Sequence, residues 1–180
     1  MFDEDELQAA ARHFAIVGPP VSEADIDTIF PGSFPGKEDL AQFYLWRNGG
    51  SRTPQGCVIH CGNPKHKVAR HHLDKMIVEG FMSVPLEPTD RMLPFKPISG
   101  HLTTMRKIYA QVPEMEKFLQ QNIPFAFDHS GEDICVNLSD GSVSYMDYTE
   151  YRKGSIQVAP SFRHFVLEYW VNAEHRLEDQ

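Results

Sequence analysis

The sequence predicts an α+β fold: a central, mostly antiparallel sheet flanked by helices, as a single domain over 1–180. Three observations predict it. Short apolar stripes at helical spacing fill the first part of the chain. Residues 123–145 alternate apolar and polar around a hairpin signal, Asp140-Gly141. A wide aromatic stripe at helical spacing follows from Phe162. A length of 180 residues suits one domain of ordinary size.

Glu4 to Phe14 carries Leu7, Ala10, Ala11 and Phe14 at helical spacing, and Gly18-Pro19-Pro20 stops that helix. Ser22-Glu23-Ala24-Asp25 is close to a capping box, so a second helix starts at Ser22 with Ile26, Ile29 and Phe30 on its apolar face. Lys37 to Asn48 reads as a third helix, with Leu40, Phe43 and Tyr44 on one face and Asn48-Gly49-Gly50 ending it. Gln55 to Cys61 alternates as a strand. Residues 62–100 hold five prolines, and irregular structure is expected there with a strand near Phe81 to Val84.

Leu102 to Gln121 returns to helical spacing, with Pro113 expected to break or kink it. Strands then follow through Ile123, Phe125 and Phe127, and through Ile134, Val136 and Leu138. A two-residue type I′ loop centred on Asp140-Gly141 pairs Leu138 with Val143 and Val136 with Tyr145. A one-residue slip would put the apolar residues on opposite faces. A last strand, Ser155 to Ala159, precedes a helix from Ser161 with Phe162, Phe165, Val166, Tyr169, Trp170 and Ala173 on its stripe. The tail 174–180 is expected to fray.

Composition narrows the function. The chain has 25 acids against 17 bases, a formal charge of −8. A nucleic-acid binder needs a basic face to neutralise phosphates, so no nucleic-acid partner is expected. No apolar run approaches the roughly 20 residues that span a bilayer, so no membrane partner is expected either. The acidic opening Met1 to Glu6 is unlike a secretory signal, and three cysteines do not make a disulfide framework. The expected location is the cytoplasm.

The densest cluster of potential ligands is Cys57, Cys61, His66 and His71, at a spacing that superficially suggests zinc. A strand reading opposes it. Four residues of extended chain separate the two sulfurs by more than about 10 Å, at roughly 3.3 Å per residue. These four are therefore recorded as metal candidates, while the expectation is no metal and no cofactor. His71-His72-Leu73-Asp74 could supply an acid/base pair, but no nucleophile elbow, phosphate loop or His-Glu-x-x-His motif accompanies it. No catalytic residue is assigned, and the expectation is not an enzyme. Asp128 to Asp133 gathers three acids around Gly131, too few regularly spaced oxygens for a calcium loop, and reads as a hairpin loop. Tyr145 is expected to face the core. Tyr148 and Tyr151 are expected at the surface, with Asp147 and Glu150 nearby, which suits a solvated strand end first and a protein interface second.

Four segments in order resemble the SUKH superfamily, the fungal cell-wall-assembly-regulator and bacterial immunity protein group. They are Asp39 to Gly50, a helix ending in Asn-Gly-Gly; Ile123 to Asp128 followed by Gly131 to Val136; Gly141 to Asp147; and Ala159 to Phe165, which holds Ser-Phe-x-x-Phe. The resemblance spans residues 22–171, and the stretch from Cys57 to Gly100 departs from it. It implies a single α+β domain that binds without catalysing, and many bacterial members look like immunity proteins that neutralise a cognate toxin, often a nuclease. It carries over no binding residue. The charge of −8 points to a basic protein partner, such as a toxin, that would be met by Asp128, Glu132, Asp133, Asp147, Tyr148 and Glu150. A regulatory module of the same fold, or a metal protein or enzyme using the His/Cys-rich middle, are the alternatives. Oligomeric state is not legible.

Overall fold

The computed structural model describes residues 1–11, 14–16, 18–52, 58–59, 76–84, 97–128 and 130–167. Helices α1 (Glu4–Ala11), α2 (Glu23–Ile29), α3 (Lys37–Trp46), α4 (Ile98–Ile108) and α5 (Pro113–Gln121) flank eight strands. The strands are β1 (Phe14–Ile16), β2 (Gly50–Arg52), β3 (Val58–Ile59), β4 (Met76–Phe81), β5 (Asn122–Asp128), β6 (Asp133–Asn137), β7 (Val143–Met146) and β8 (Ile156–Ala159). A 3-10 turn, Tyr151–Lys153, precedes β8, and a helix α6 follows it over 162–167. The sheet order is β1-β2-β4-β5-β6-β7-β8, with β3 paired to β4. Every strand pair is antiparallel. This is the α+β, antiparallel architecture the sequence predicts.

Local chemistry explains three of the helix starts. Ser22 caps α2 by a reciprocal capping box: its hydroxyl accepts from the Asp25 N–H while the Asp25 carboxylate accepts from the Ser22 N–H at 2.8 Å. Pro113 opens α5 as its first residue, where its missing N–H costs nothing, so the expected break falls there. At 161–165, the Ser161 hydroxyl accepts from the His164 N–H and its carbonyl from the Phe165 N–H. The core is aromatic. Phe43, Phe81, Phe125, Phe162 and Phe165 form a contiguous set with ring centroids 4.9–6.5 Å apart. Tyr44 is fully buried above them and donates its hydroxyl to the Met82 carbonyl.

Asn48 ties the end of α3 to the sheet. Its amide nitrogen donates to the carbonyls of Pro19 and Val84, and its oxygen accepts from the Val84 N–H at 2.7 Å. Gly49 follows at φ 72°, and a Cβ there would lie 3.1 Å from the Phe81 carbonyl oxygen and the Ser83 backbone. The Asn-Gly-Gly ending is thus a backbone junction rather than a simple helix stop. The helix itself ends at Trp46, with Arg47 as an extended cap.

Several expectations need correction. Phe14 belongs to β1, not to the first helix, which ends at Ala11; pairing with β2 claims the 14–16 stretch. The strand expected near Phe81 to Val84 lies at Met76–Phe81, and α4 begins at Ile98 within the stretch read as irregular. The β6–β7 hairpin has the expected faces but not the expected register. Val136 pairs with Val143 and Ile134 with Tyr145, a shift of two residues along β6. A type I′ turn needs positive φ at both central residues, and among the described residues none but glycine has it. Gly141, at φ 73°, instead closes a four-residue loop, 138–141. The Asn137 N–H donates to the Ser142 carbonyl, and the Gly141 N–H to the Asn137 carbonyl. The Asn137 side chain accepts from the Ser139 N–H and holds the loop from inside. Expectations for Gln55 to Cys57, for His60 and Cys61, and for Tyr169, Trp170, Ala173 and the tail lie outside the described residues.

Candidate acid and tyrosine site

The 128–133 hairpin loop and the turn after β7 meet α4 at one end of the sheet, through His101 in its first turn and Tyr109 at its C-terminal cap. Asp128 builds the loop. Its Oδ1 accepts from the N–H groups of Ser130 at 2.8 Å and Glu132 at 2.9 Å, and its Oδ2 from the Tyr145 hydroxyl at 3.0 Å. Gly131, at φ 86°, supplies the turn, as the sequence reading expects. Asp133 lies on β6, wholly buried, with His101 Nε2 of α4 2.7 and 2.9 Å from its two oxygens. The Tyr148 hydroxyl donates to the same carboxylate at 2.5 Å. Asp147 accepts from the Thr149 N–H and hydroxyl and from the Glu150 N–H. Glu132 accepts from the Tyr148 N–H at 2.7 Å.

Tyr148 is the centre of this arrangement. Its ring stacks on Tyr109 with centroids 5.5 Å apart, and its carbonyl accepts from the Tyr109 hydroxyl at 3.3 Å. Tyr151 meets Tyr109 edge-on. Lys153 Nζ sits 2.9 Å from Glu150 on the exposed side, a pair of the kind that contributes little in water.

The electrostatics follow from burial and crowding. Burial pushes the Glu132 carboxyl above its ordinary value, against the lowering effect of the Tyr148 N–H, and the carboxylates of Asp147, Asp128 and Asp133 add to the rise. Burial raises the Tyr145 hydroxyl, with Asp128 adding to it, and raises the Tyr148 hydroxyl, with Cys135 and Asp133 adding to it. Both phenols therefore stay protonated and serve as donors. Tyr109 is raised by burial and by Glu132.

Of the residues the sequence singles out for partner binding, the structure brings Asp128, Glu132, Asp133, Asp147 and Tyr148 together, with Glu150 at the edge. It does not place them alike. Asp128, Asp133 and Asp147 are buried, Glu132, Glu150 and Tyr148 are half-buried, and Tyr151 is half-buried rather than a free surface residue. Tyr145 faces the core as expected. His101 and Tyr109 are members that sequence reasoning missed. His101 reaches Asp133 across 32 residues of chain, and nothing local signals that contact. The metal candidates Cys57, Cys61, His66 and His71 lie outside the described residues. Among the described residues, no group of three or more His, Cys, Asp and Glu side chains is placed to hold a metal ion. No described helix is long and apolar enough to cross a membrane. Comparison with protein-family models, curated proteins and solved structures finds no match to this chain.

Proposed function

We propose that this chain is a cytoplasmic, non-catalytic protein-binding module that takes a basic protein partner on the acid-rich end of its sheet, and that the partner is a toxin it neutralises. The observation that supports this most is the gathering of Asp128, Glu132, Asp133 and Asp147 beneath the half-buried Tyr148 and Tyr151. Carboxylates withdrawn from the surface still project a negative field, and that field steers basic partners. Tyrosine is enriched at protein interfaces because it offers a large, rigid and amphipathic contact. Direct contact falls to Glu132, Glu150, Tyr148 and Tyr151, while Asp128, Asp133 and Asp147 hold the loops and supply charge. The resemblance to the SUKH superfamily supports the neutralising role. The mechanism is steric occlusion of the toxin surface, sped by electrostatic steering.

The test is capture of the partner from native cells, followed by association kinetics with the purified partner. The association rate is expected to fall steeply with added salt, and Glu132→Lys with Glu150→Lys to slow it by roughly tenfold or more. An association rate indifferent to ionic strength sinks the steering. Charge reversal without effect sinks the surface.

A further inference from the structure

The contacts of Asp133 differ from those of Asp128, the acid that builds the neighbouring loop. Asp128 accepts from the N–H groups of Ser130 and Glu132 and from the neutral Tyr145 hydroxyl. Asp133, wholly buried, faces an imidazole: His101 Nε2 lies 2.7 Å from one oxygen, and its side chain is 12 % exposed. The other donor to this carboxylate is the Tyr148 hydroxyl. Among the described residues, the further titratable groups around this junction bring no positive charge. They are Asp128 from β5, Glu132 from the hairpin loop, Cys135 from β6, Tyr145 and Asp147 from β7 and its end, and Tyr109 from the end of α4. Arg152 and Lys153 sit on the exposed 3-10 turn, over the Tyr151 ring and beside Glu150.

We propose that the His101–Asp133–Tyr148 junction is a proton-operated latch between α4 and the end of the sheet, closed when the imidazole is charged and loosened when it is neutral. Histidine is the side chain whose ordinary titration falls in the physiological range. A charged imidazole gives Asp133 both an N–H donor and a counter-charge. A neutral one keeps at most the donor, while the nearby carboxylates remain. Glu132 works in the same direction. Its carboxyl holds its proton to higher pH than usual, and losing that proton adds a negative charge beside the others. Rising pH therefore withdraws a positive charge and adds a negative one at the same place.

Tyr148 sets what the latch moves. Its hydroxyl is on Asp133, its N–H on Glu132, and its ring and carbonyl on Tyr109. Loosening the junction frees the hairpin loop and the turn after β7 from α4 together. This is a property of the free chain and does not rest on the partner reading.

Amide hydrogen exchange on the purified full chain tests it, corrected for the intrinsic pH dependence of exchange. Protection of the Glu132 and Tyr148 amides is expected to fall by about tenfold or more between about pH 5.5 and about pH 8.5, a span that brackets histidine titration. The Ile134 and Val136 amides of the core strand are expected to hold their protection. His101→Gln keeps an N–H donor but takes no proton, so it is expected to leave only the smaller pH dependence that Glu132 supplies. Wild-type protection that agrees at the two pH values overturns the latch, as does H101Q with an unchanged pH dependence. Should H101Q fail to fold, an NMR titration of the Glu132→Gln chain decides, since it removes the carboxyl that the Tyr148 N–H meets and leaves an acceptor there. The Tyr148 amide shift must then follow the His101 imidazole curve, and separate midpoints overturn the proposal.

Discussion

Two glycines in tight loops show how a residue's surroundings grade its importance. Gly131 and Gly141 both hold positive φ, 86° and 73°, where a side chain is strained. They differ in space. A Cβ at Gly131 meets nothing within 4 Å, whereas one at Gly141 collides with the carbonyl group of Pro35. Gly131→Ala is expected to cost about 1 kcal/mol, the backbone penalty alone. Gly141→Ala is expected to cost upwards of about 3 kcal/mol, because relieving the collision must displace either the hairpin or the Pro35 turn. Urea midpoints read both, with the slope checked for constancy. Equal losses at the two positions would show that the Pro35 contact yields freely.

At the scale of elements, what was legible in the sequence is what local chemistry decides. The start of α2 is an example, since Ser22 and Asp25 satisfy each other's backbone without help from the rest of the chain. Ser22→Ala is expected to lower stability by about 1 kcal/mol. Helicity of a peptide spanning 20–31 should fall with the same substitution; if only the intact chain responds, the cap matters through tertiary packing instead. Pro113 at the head of α5 was legible for the same reason. Phe14 was not, because an apolar triplet fits either period, and pairing with β2 from residues far along the chain decided it. The hairpin register failed on a local point of another kind. Asp140 does not take the positive φ that a two-residue loop demands, and Asn137 offers a side-chain acceptor that closes a longer one. The site divides along the same line. Asp128, Glu132 and Asp133 are neighbours in sequence, and Asp147 joins them because β6 and β7 are a hairpin. That Asp133 would be wholly buried under His101 depends on where α4 lands, which no local pattern records.

For the whole molecule, the balance of acids shapes how stability responds to pH. Glu6 is held below its ordinary value, first by its hydrogen bond from Arg163. Asp140 is held below its own by Ser142. A lowered carboxyl contributes stability that is present above its unfolded value and lost as pH falls through the folded one. Glu132 has the opposite sign. Its folded value lies above the ordinary 4.5, so the folded chain binds the proton more tightly than the unfolded chain does. That contribution is present below 4.5 and lost as pH rises through the raised value. The two signs together predict a stability curve that falls on its acid side through Glu6 and Asp140, and declines through the Glu132 titration as pH rises above 4.5. Glu132→Gln removes the second limb while leaving an acceptor for the Tyr148 N–H. Its stability relative to wild type is expected to improve steadily as pH rises above 4.5, and to level off once Glu132 has titrated in both states. Added salt should narrow that gap without abolishing it, because salt screens the neighbouring carboxylates but does not restore hydration to a half-buried group. Urea midpoints for the two chains across pH, at low and high salt, measure this directly. Parallel curves at every pH would mean that Glu132 titrates alike in the folded and unfolded chain, and that the crowding of acids at this end of the sheet is already relieved by the hydrogen bonds that hold it together.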